Sequence, residues 1–355
     1  MTTIPSPPRV RPRVPGLRPV WFAGAAGLLL VATVCGVAFG PVSLPPVGVA
    51  LDLLNRLPGV DVTSGLTDTQ SAIVWSLRLP RVLLGLLVGA MLALAGGCYQ
   101  GVFRNPLADP ALLGVASGAG LATTGFIIAR SHGVPLDIRF MPVAAFVGAL
   151  AALAATYLLG MSGRRRGTVT LILAGVAVSA FLTAVQTYLQ QRNVDTIASV
   201  YSWLLGRLSV AGWGEVRLLL PYVAVTAVAV LLRRRELDVL AVGDDEASAL
   251  GLHPRRSRLV LLTAASLGTA AAVSVSGLIG FVGVVVPHLV RLMAGQSYRA
   301  ILPLSMMVGA AFLIVADLAA RTMAAPAELP IGVVTAFVGA PFFVLVMRTT
   351  NEATP

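Results

Sequence analysis

Apolar residues run along most of this chain in blocks of about twenty, and polar residues are confined to the gaps between them. A helix needs ~20 mostly apolar residues to cross the hydrocarbon core of a bilayer. The blocks fall near 20–40, 80–101, 111–130, 141–161, 169–190, 215–232, 259–276, 279–294, 301–320 and 330–348. The pattern predicts an all-α polytopic membrane protein of about ten transmembrane helices. Two gaps are long. Residues 41–79 carry Pro45-Pro46, Asn55, Pro58-Gly59 and Asp61. Residues 233–258 open on Arg233-Arg234-Arg235 and form the most strongly charged internal stretch. Within it, Asp244 to Leu250 reads as a short helix between Gly243 and Gly251, acidic in its first turn as a helix N-terminus favours.

One short gap is unusual. Between two apolar blocks, Arg104, Asn105 and Asp109 are interleaved with Pro106 and Pro110. The prolines lack a backbone donor and break the helix on either side. In lipid an open backbone is tolerated only where protein buries it or water wets it. The hairpin therefore reads as a constriction in a pathway or as a contact with a partner.

Composition supports the membrane reading: the chain is 57% hydrophobic and 12% charged, with a mean hydropathy of +0.87, against about 25% charged residues in a soluble domain. The net charge is +11, and all 26 basic residues are arginine. These charges lie between apolar spans without interleaved aromatics, so nucleic acid is not the expected partner. Basic residues favour the cytoplasmic side of short loops. With the N-terminus inside, 17 arginines face the cytoplasm and 9 the other side, which places both termini in the cytoplasm. The absence of lysine excludes a Walker A loop and Schiff-base chemistry, so any ATP-driven step needs another chain. Cys35 and Cys98 lie far apart in apolar spans and suggest neither a disulfide nor a metal site. The Pro/Arg-rich tail over 1–19 is expected to be disordered. The block that follows lacks a clear cleavage site and reads as an uncleaved first helix.

Other constellations leave alternatives open. Arg78-Leu-Pro-Arg81 could offer paired guanidinium forks to a carboxylate or anchor a span at the interface. Asp317 and Arg321 share a helix face, with Glu328 nearby, as a local ion pair or an outer contact. Gly85-x-x-x-Gly89 and Gly114-x-x-x-Gly118 permit close helix approach, for packing or for a specific interface. Gly277, Gly280 and Gly283 thin the backbone for a turn or for packing ahead of His288, which reads as a structural histidine. No Ser/His/Asp arrangement, zincin motif or paired midplane carboxylate is evident, so no catalytic residue, metal or cofactor is expected in this chain.

Several motifs in order resemble the FecCD family of ABC-importer permeases. They are Arg78-Leu-Pro-Arg81, Val88 to Gly96, Arg104-Asn-Pro-Leu-Ala-Asp-Pro110, Leu113 to Ala119, Leu173-Ala-Gly-Val-Ala177, Gly280 to Arg291, Ala316 to Arg321 and Glu328 to Thr335. The resemblance implies a type II ABC-importer permease fold over 20–348, with a coupling segment at 236–258 and a cytoplasmic tail at 349–355. It implies a multi-pass protein of the plasma membrane, inner membrane where there are two. Its partners would be cytoplasmic ATPase subunits, an extracytoplasmic substrate-binding protein and a second permease, identical or paralogous. The cargo it implies is a ferric siderophore, with haem or cobalamin as alternatives. A stand-alone channel or secondary transporter would instead need a titratable midplane residue. By the same resemblance, Arg78, Arg81 and Arg321 meet acidic residues of the binding protein. Asn105 and Leu107 form one cytoplasmic gate element, and Thr168 and Val169 the other; Val169 stands where a hydroxyl is common. Gly243, Asp244, Asp245, Glu246, Ala247, Leu250 and Gly251 match the coupling helix seated on the ATPase, with Asp244-Asp245 in place of Glu-Glu.

Overall fold

The structure is a computed structural model that describes residues 19–56, 62–161, 168–209 and 212–351. The tail up to residue 18, Pro58-Gly59, Asp61, Arg164 to Arg166 and residues 352–355 lie outside the described residues. The described residues form fifteen α-helices and no strand. They are α1 (Pro19–Ala38), α2 (Pro46–Asn55), α3 (Asp68–Ile73), α4 (Leu79–Phe103), α5 (Val115–Ser131), α6 (Met141–Met161), α7 (Thr168–Arg192) and α8 (Ile197–Leu204), then α9 (Trp213–Leu232), α10 (Arg234–Leu240), α11 (Asp244–Ala249), α12 (Pro254–Ser276), α13 (Val282–Ala294), α14 (Tyr298–Thr322) and α15 (Ile331–Asn351).

Each of the ten apolar blocks is a helix, and seven helical stretches are long and apolar enough to cross a membrane. Helix α4 is the hub. It is buried along almost its whole length and packs against α14, α12, α13 and α9. Glycine permits three of the tightest crossings. A Cβ on Gly89 would stand 2.3 Å from the carbonyl oxygen of Gly309, one on Gly96 1.9 Å from that of Gly283, and one on Gly118 2.3 Å from that of Gly148. Gly89 and Gly118 of the two spaced glycine pairs thus serve packing within the chain.

The long gap at 41–79 contains α2, α3 and the start of a longer helix. Asp68–Phe103 forms one continuous helical stretch of 36 residues, roughly 54 Å at 1.5 Å per residue, and a π turn at Val74–Arg78 joins α3 to α4. Its start is fixed by a capping box, in which Thr67 Oγ1 accepts from Gln70 N and Gln70 Oε1 accepts from Thr67 N. Asp52 of α2 accepts from Ser71 Oγ and, at 2.7 Å, from Trp75 Nε1, fastening α2 to this stretch. One expectation is corrected: the span expected over 279–294 is a short helix, Val282–Ala294, preceded by irregular backbone. The non-helical turn at residues 205–207 ties two helix ends together: Arg207 N donates to Ser276 O at the end of α12, just before this backbone, at 2.8 Å, while Leu205 O accepts from Gly332 N at 2.9 Å and Gly206 O from Ile331 N at 3.3 Å at the start of α15. The turn and the helix ends thus satisfy one another's backbone groups, as an apolar surrounding requires. Helix α1 begins at Pro19 and α15 runs through to Asn351.

The helices expose two opposite polar faces. One gathers the α1 C-terminus, Arg78, Arg81, Asp317 and Glu328. The other gathers Arg104, Asp244, Arg258, Asp238 and Ser297.

Candidate functional site

On the Asp244 face, helix α4 ends at Arg104, which adopts φ 50° and ψ 36°. Helices commonly end on a left-handed residue, but that residue is usually glycine. An L-residue there costs about 1–2 kcal/mol, so the arginine is held against a local preference. The hairpin that follows is built by its own polar side chains. Asn105 Oδ1 accepts from Leu107 N at 2.9 Å, and Asp109 Oδ1 accepts from Ala111 N at 2.7 Å, capping a 3-10 turn at Pro110–Leu113. Asn105 is exposed and Leu107 is 40% exposed, at the hairpin tip. The 3-10 turn rests on α7, where a Cβ on Gly175 would lie 2.0 Å from Leu112 O. Val169, in the first turn of α7, is 70% exposed; the Thr168 side chain lies outside the description. The hairpin and α7 thus meet at Leu112 and Gly175.

The short acidic helix is present as α11. It is framed by Gly243 at φ 134° and Gly251 at φ 83°, conformations open to glycine because it lacks Cβ. Ala247 is buried, while Asp245, Glu246 and Leu250 point outward with Val242 just before them. Asp244 behaves differently from its acidic neighbours. Its Oδ1 accepts from Arg104 Nη2 at 2.9 Å, and its Oδ2 accepts from Arg258 Nη1 at 2.7 Å. Arg258 Nη2 also donates to Oδ1. The hydrogen bonds from Arg258, with the charges of Arg258 and Arg104, hold the Asp244 carboxyl below the usual carboxylate range despite partial burial. A lowered folded pKa gives stability that is complete above the ordinary carboxylate pKa and lost as pH falls through the lowered value. A double-mutant cycle between Asp244 and Arg258 should therefore return the same interaction energy at pH 5.5 and pH 8; a value that falls across that interval would contradict the pairing.

Neither Arg104 nor Arg258 stood out in the sequence as a partner of Asp244. A cavity of about 360 Å³ lies beside this cluster, lined by Phe103, Tyr157, Asp244, Ser248 and Arg258 among others. Nearby, Asp238 of α10 accepts from Tyr298 N at 2.7 Å and Ser297 Oγ at 3.2 Å, capping α14.

On the opposite face, Arg78, Arg81 and Arg321 come together but are turned inward. Arg78 Nη1 donates to Val37 O at 3.0 Å and Ala38 O at 2.6 Å, and Nη2 donates to Val42 O. Arg321 Nη2 donates to Gly36 O. The last carbonyls of a helix have no partner within it and carry its negative end; here two guanidiniums supply partners to the end of α1. A Cβ on Gly40 would stand 3.2 Å from Arg78 Nη2 and 3.3 Å from Arg321 Nη1, so the chain passes directly over both. Arg78 and Arg321 are 4% and 2% exposed, which leaves neither a free fork nor an interfacial anchor. Arg81 Nε donates to Asp317 Oδ1 at 3.0 Å, while Nη1 and Nη2 donate to Glu328 Oε1 and Oε2 at 2.8 and 3.0 Å. Asp317 also lies 3.4 Å from Arg321. The network is most open at Glu328, at 33% side-chain exposure against 13% for Arg81.

The model of the FecCD transport family matches residues 28–349. The chain belongs to that family. It is 39% identical over 362 residues to the cobalamin import system permease protein BtuC of Halobacterium salinarum, covering 93% of this chain and 96% of that one. It is 40% identical to the hemin transport system permease protein HmuU of Yersinia pestis, over 81% of this chain and 87% of that one. The Fe(3+) dicitrate transport system permease protein FecD of Escherichia coli is 39% identical, over 79% of this chain and 87% of its own length. A solved "metal-chelate type ABC transporter" in "an inward-facing conformation" superposes with a TM-score of 0.81 at 29% identity, covering 93% of this chain and all of that one. The fold is that of an ABC-importer permease, and this FecCD protein is a multi-pass membrane transport subunit.

Proposed function

We propose that this FecCD protein is the permease of a binding-protein-dependent ABC importer whose cargo is a ferric siderophore. The observation that carries the reading is α11. It is a short helix bracketed by two positive-φ glycines, with Val242, Asp245, Glu246 and Leu250 exposed, and it is tied inward through Asp244. That is the form expected of an element that receives motion from a cytoplasmic ATPase. With the Asp244 face in the cytoplasm, both termini are cytoplasmic as well. ATP binding in the partner moves α11, two permease subunits rock against each other, and Asn105, Leu107, Thr168 and Val169 open and close the inner end of the pathway.

The cargo in this reading is a metal chelate. The relatives carry the names of iron chelates, hemin and cobalamin at nearly the same identity, so identity does not rank these cargoes. Uptake of labelled ferric siderophore, haem and cobalamin by a deletion strain carrying the permease on a plasmid tests the assignment. Siderophore uptake restored alone is expected; restoration of haem or cobalamin uptake instead would replace the cargo.

Docking of the binding protein falls to Arg81 in this reading, because Arg78 and Arg321 are occupied by carbonyls of α1. Glu328 fills the Arg81 fork from the surface side, where an acidic group of the binding protein would compete with it. Glu328→Gln weakens the competitor and leaves Asp317 on Arg81. It is expected to tighten binding-protein affinity several-fold in a pull-down titration, and a weaker affinity would remove Arg81 from the docking surface.

A further inference from the structure

We infer that Asp244 is the residue through which the coupling helix moves the inner gate. The inference rests on the permease reading of α11 and of the hairpin, and it names the contact that joins them. Three observations converge on it. First, the Asp244 carboxylate is shared between two elements 140 residues apart in sequence: Arg104 at the end of α4 and α11 itself. Second, Arg104 occupies a left-handed position that suits glycine or asparagine better. It immediately precedes Asn105 and Leu107, so its side chain is fixed to the backbone that shapes the hairpin tip. Third, one side of α11, at Asp244, Asp245 and Ser248, meets open space rather than packed side chains, in a cavity shared with Phe103, Tyr157, Leu171 and Arg258. A helix bordering a void cannot push through packing on that side, whereas a charged hydrogen bond can both push and pull.

Arg258 completes the device. It takes both carboxylate oxygens of Asp244 and is only 15% exposed at its side chain. Anchored to the start of α12, it orients the carboxylate so that Arg104 follows any displacement of α11. The Arg104–Asp244 pair is itself exposed, at 42% and 46%. Pairs of this kind hold folded structures together only weakly. Its contribution is positional, and Asp244 is a positioning residue for the gate.

The test uses the whole transporter, permease with its ATPase subunits, in nanodiscs. Leu107→Cys reports the gate through its rate of labelling by a soluble maleimide, nucleotide-free and with ATP trapped; ATP turnover is read in the same samples. Arg104→Asn keeps the left-handed backbone and removes the guanidinium. It should cut the nucleotide-dependent change in labelling by up to about fivefold, the equivalent of ~1 kcal/mol. Asp244→Asn should do the same, and the double variant should be no worse than either single change. Arg104→Lys should restore part of the response, which a merely structural role would not predict. A full response in Arg104→Asn, or losses that multiply in the double variant, would overturn the relay. A complex carrying only the Leu107→Cys reporter that hydrolyses ATP with no change in labelling would instead overturn the gate reading beneath it, and the relay with it.

Discussion

Asp317→Ala is expected to destabilise the chain by about 3–5 kcal/mol, the range for removing one partner of a buried ion pair. The side chains of Asp317 and Arg321 are 3% and 2% exposed, and that of Arg81 is 13% exposed. Without the carboxylate, two guanidiniums stay buried near one another, with only Glu328 and the carbonyls of α1 as acceptors. Water cannot replace the missing partner at so little exposure, and repulsion between the arginines adds to the desolvation cost. The prediction is checked by the midpoint of thermal unfolding in detergent. A variant that melts with the wild type would show that the network contributes nothing. Arg81→Ala should cost less, because Asp317 keeps Arg321.

The second large effect is expected at Gly96. A methyl group there would stand 1.9, 2.4 and 2.5 Å from the oxygen, carbon and Cα of Gly283. All three are backbone atoms, so no rotamer change relieves the clash, and α4 and α13 must separate. Gly96→Ala should cost ~3 kcal/mol or more, the upper end of overpacking, and should be read as loss of folded protein from the membrane fraction. Gly280→Ala is the control. No atom lies within 4 Å of its added methyl, and its backbone is not in the left-handed region. The change should stay within about 0.5 kcal/mol of wild type. Equal yields of the two variants would contradict the crossing geometry.

These two sites also show what the sequence makes legible. Blocks of apolar residues located all ten major helices, because length and hydropathy are local properties. The acidic helix at 244–249 was equally legible, since Gly243 and Gly251 bracket it and its charges suit an N-terminus. The three glycines at 277, 280 and 283 looked equivalent by spacing but are not. Gly277 needs a positive φ, Gly283 meets α4, and Gly280 faces open space. Spacing cannot reveal which neighbour each will meet.

The outer arginines were recognisable as unusual, because basic residues are disfavoured on that side in the orientation proposed. Their structural partners were not recognisable. Arg78 binds the carbonyls of residues 37, 38 and 42, and a backbone carbonyl has no sequence signature. Arg104 and Asp244 were each visible within a motif, yet nothing local connects residues 140 positions apart. The shortening of α13 was hidden because hydropathy does not distinguish a buried irregular segment from a buried helix. The capping box at Thr67 and Gln70 was readable and would have placed the start of the long helix before Arg78.

In the function proposed above, this chain moves its cargo only when a separate ATPase drives it. The direct measurement is uptake of radiolabelled ferric siderophore, haem and cobalamin into proteoliposomes. These hold the permease with or without its ATPase subunits, with binding protein on the receiving side and ATP on the cytoplasmic side. Ferric siderophore alone is expected to accumulate above its external concentration, and only when ATPase and ATP are both present. Cargo that equilibrates at the same rate with the permease alone would contradict it.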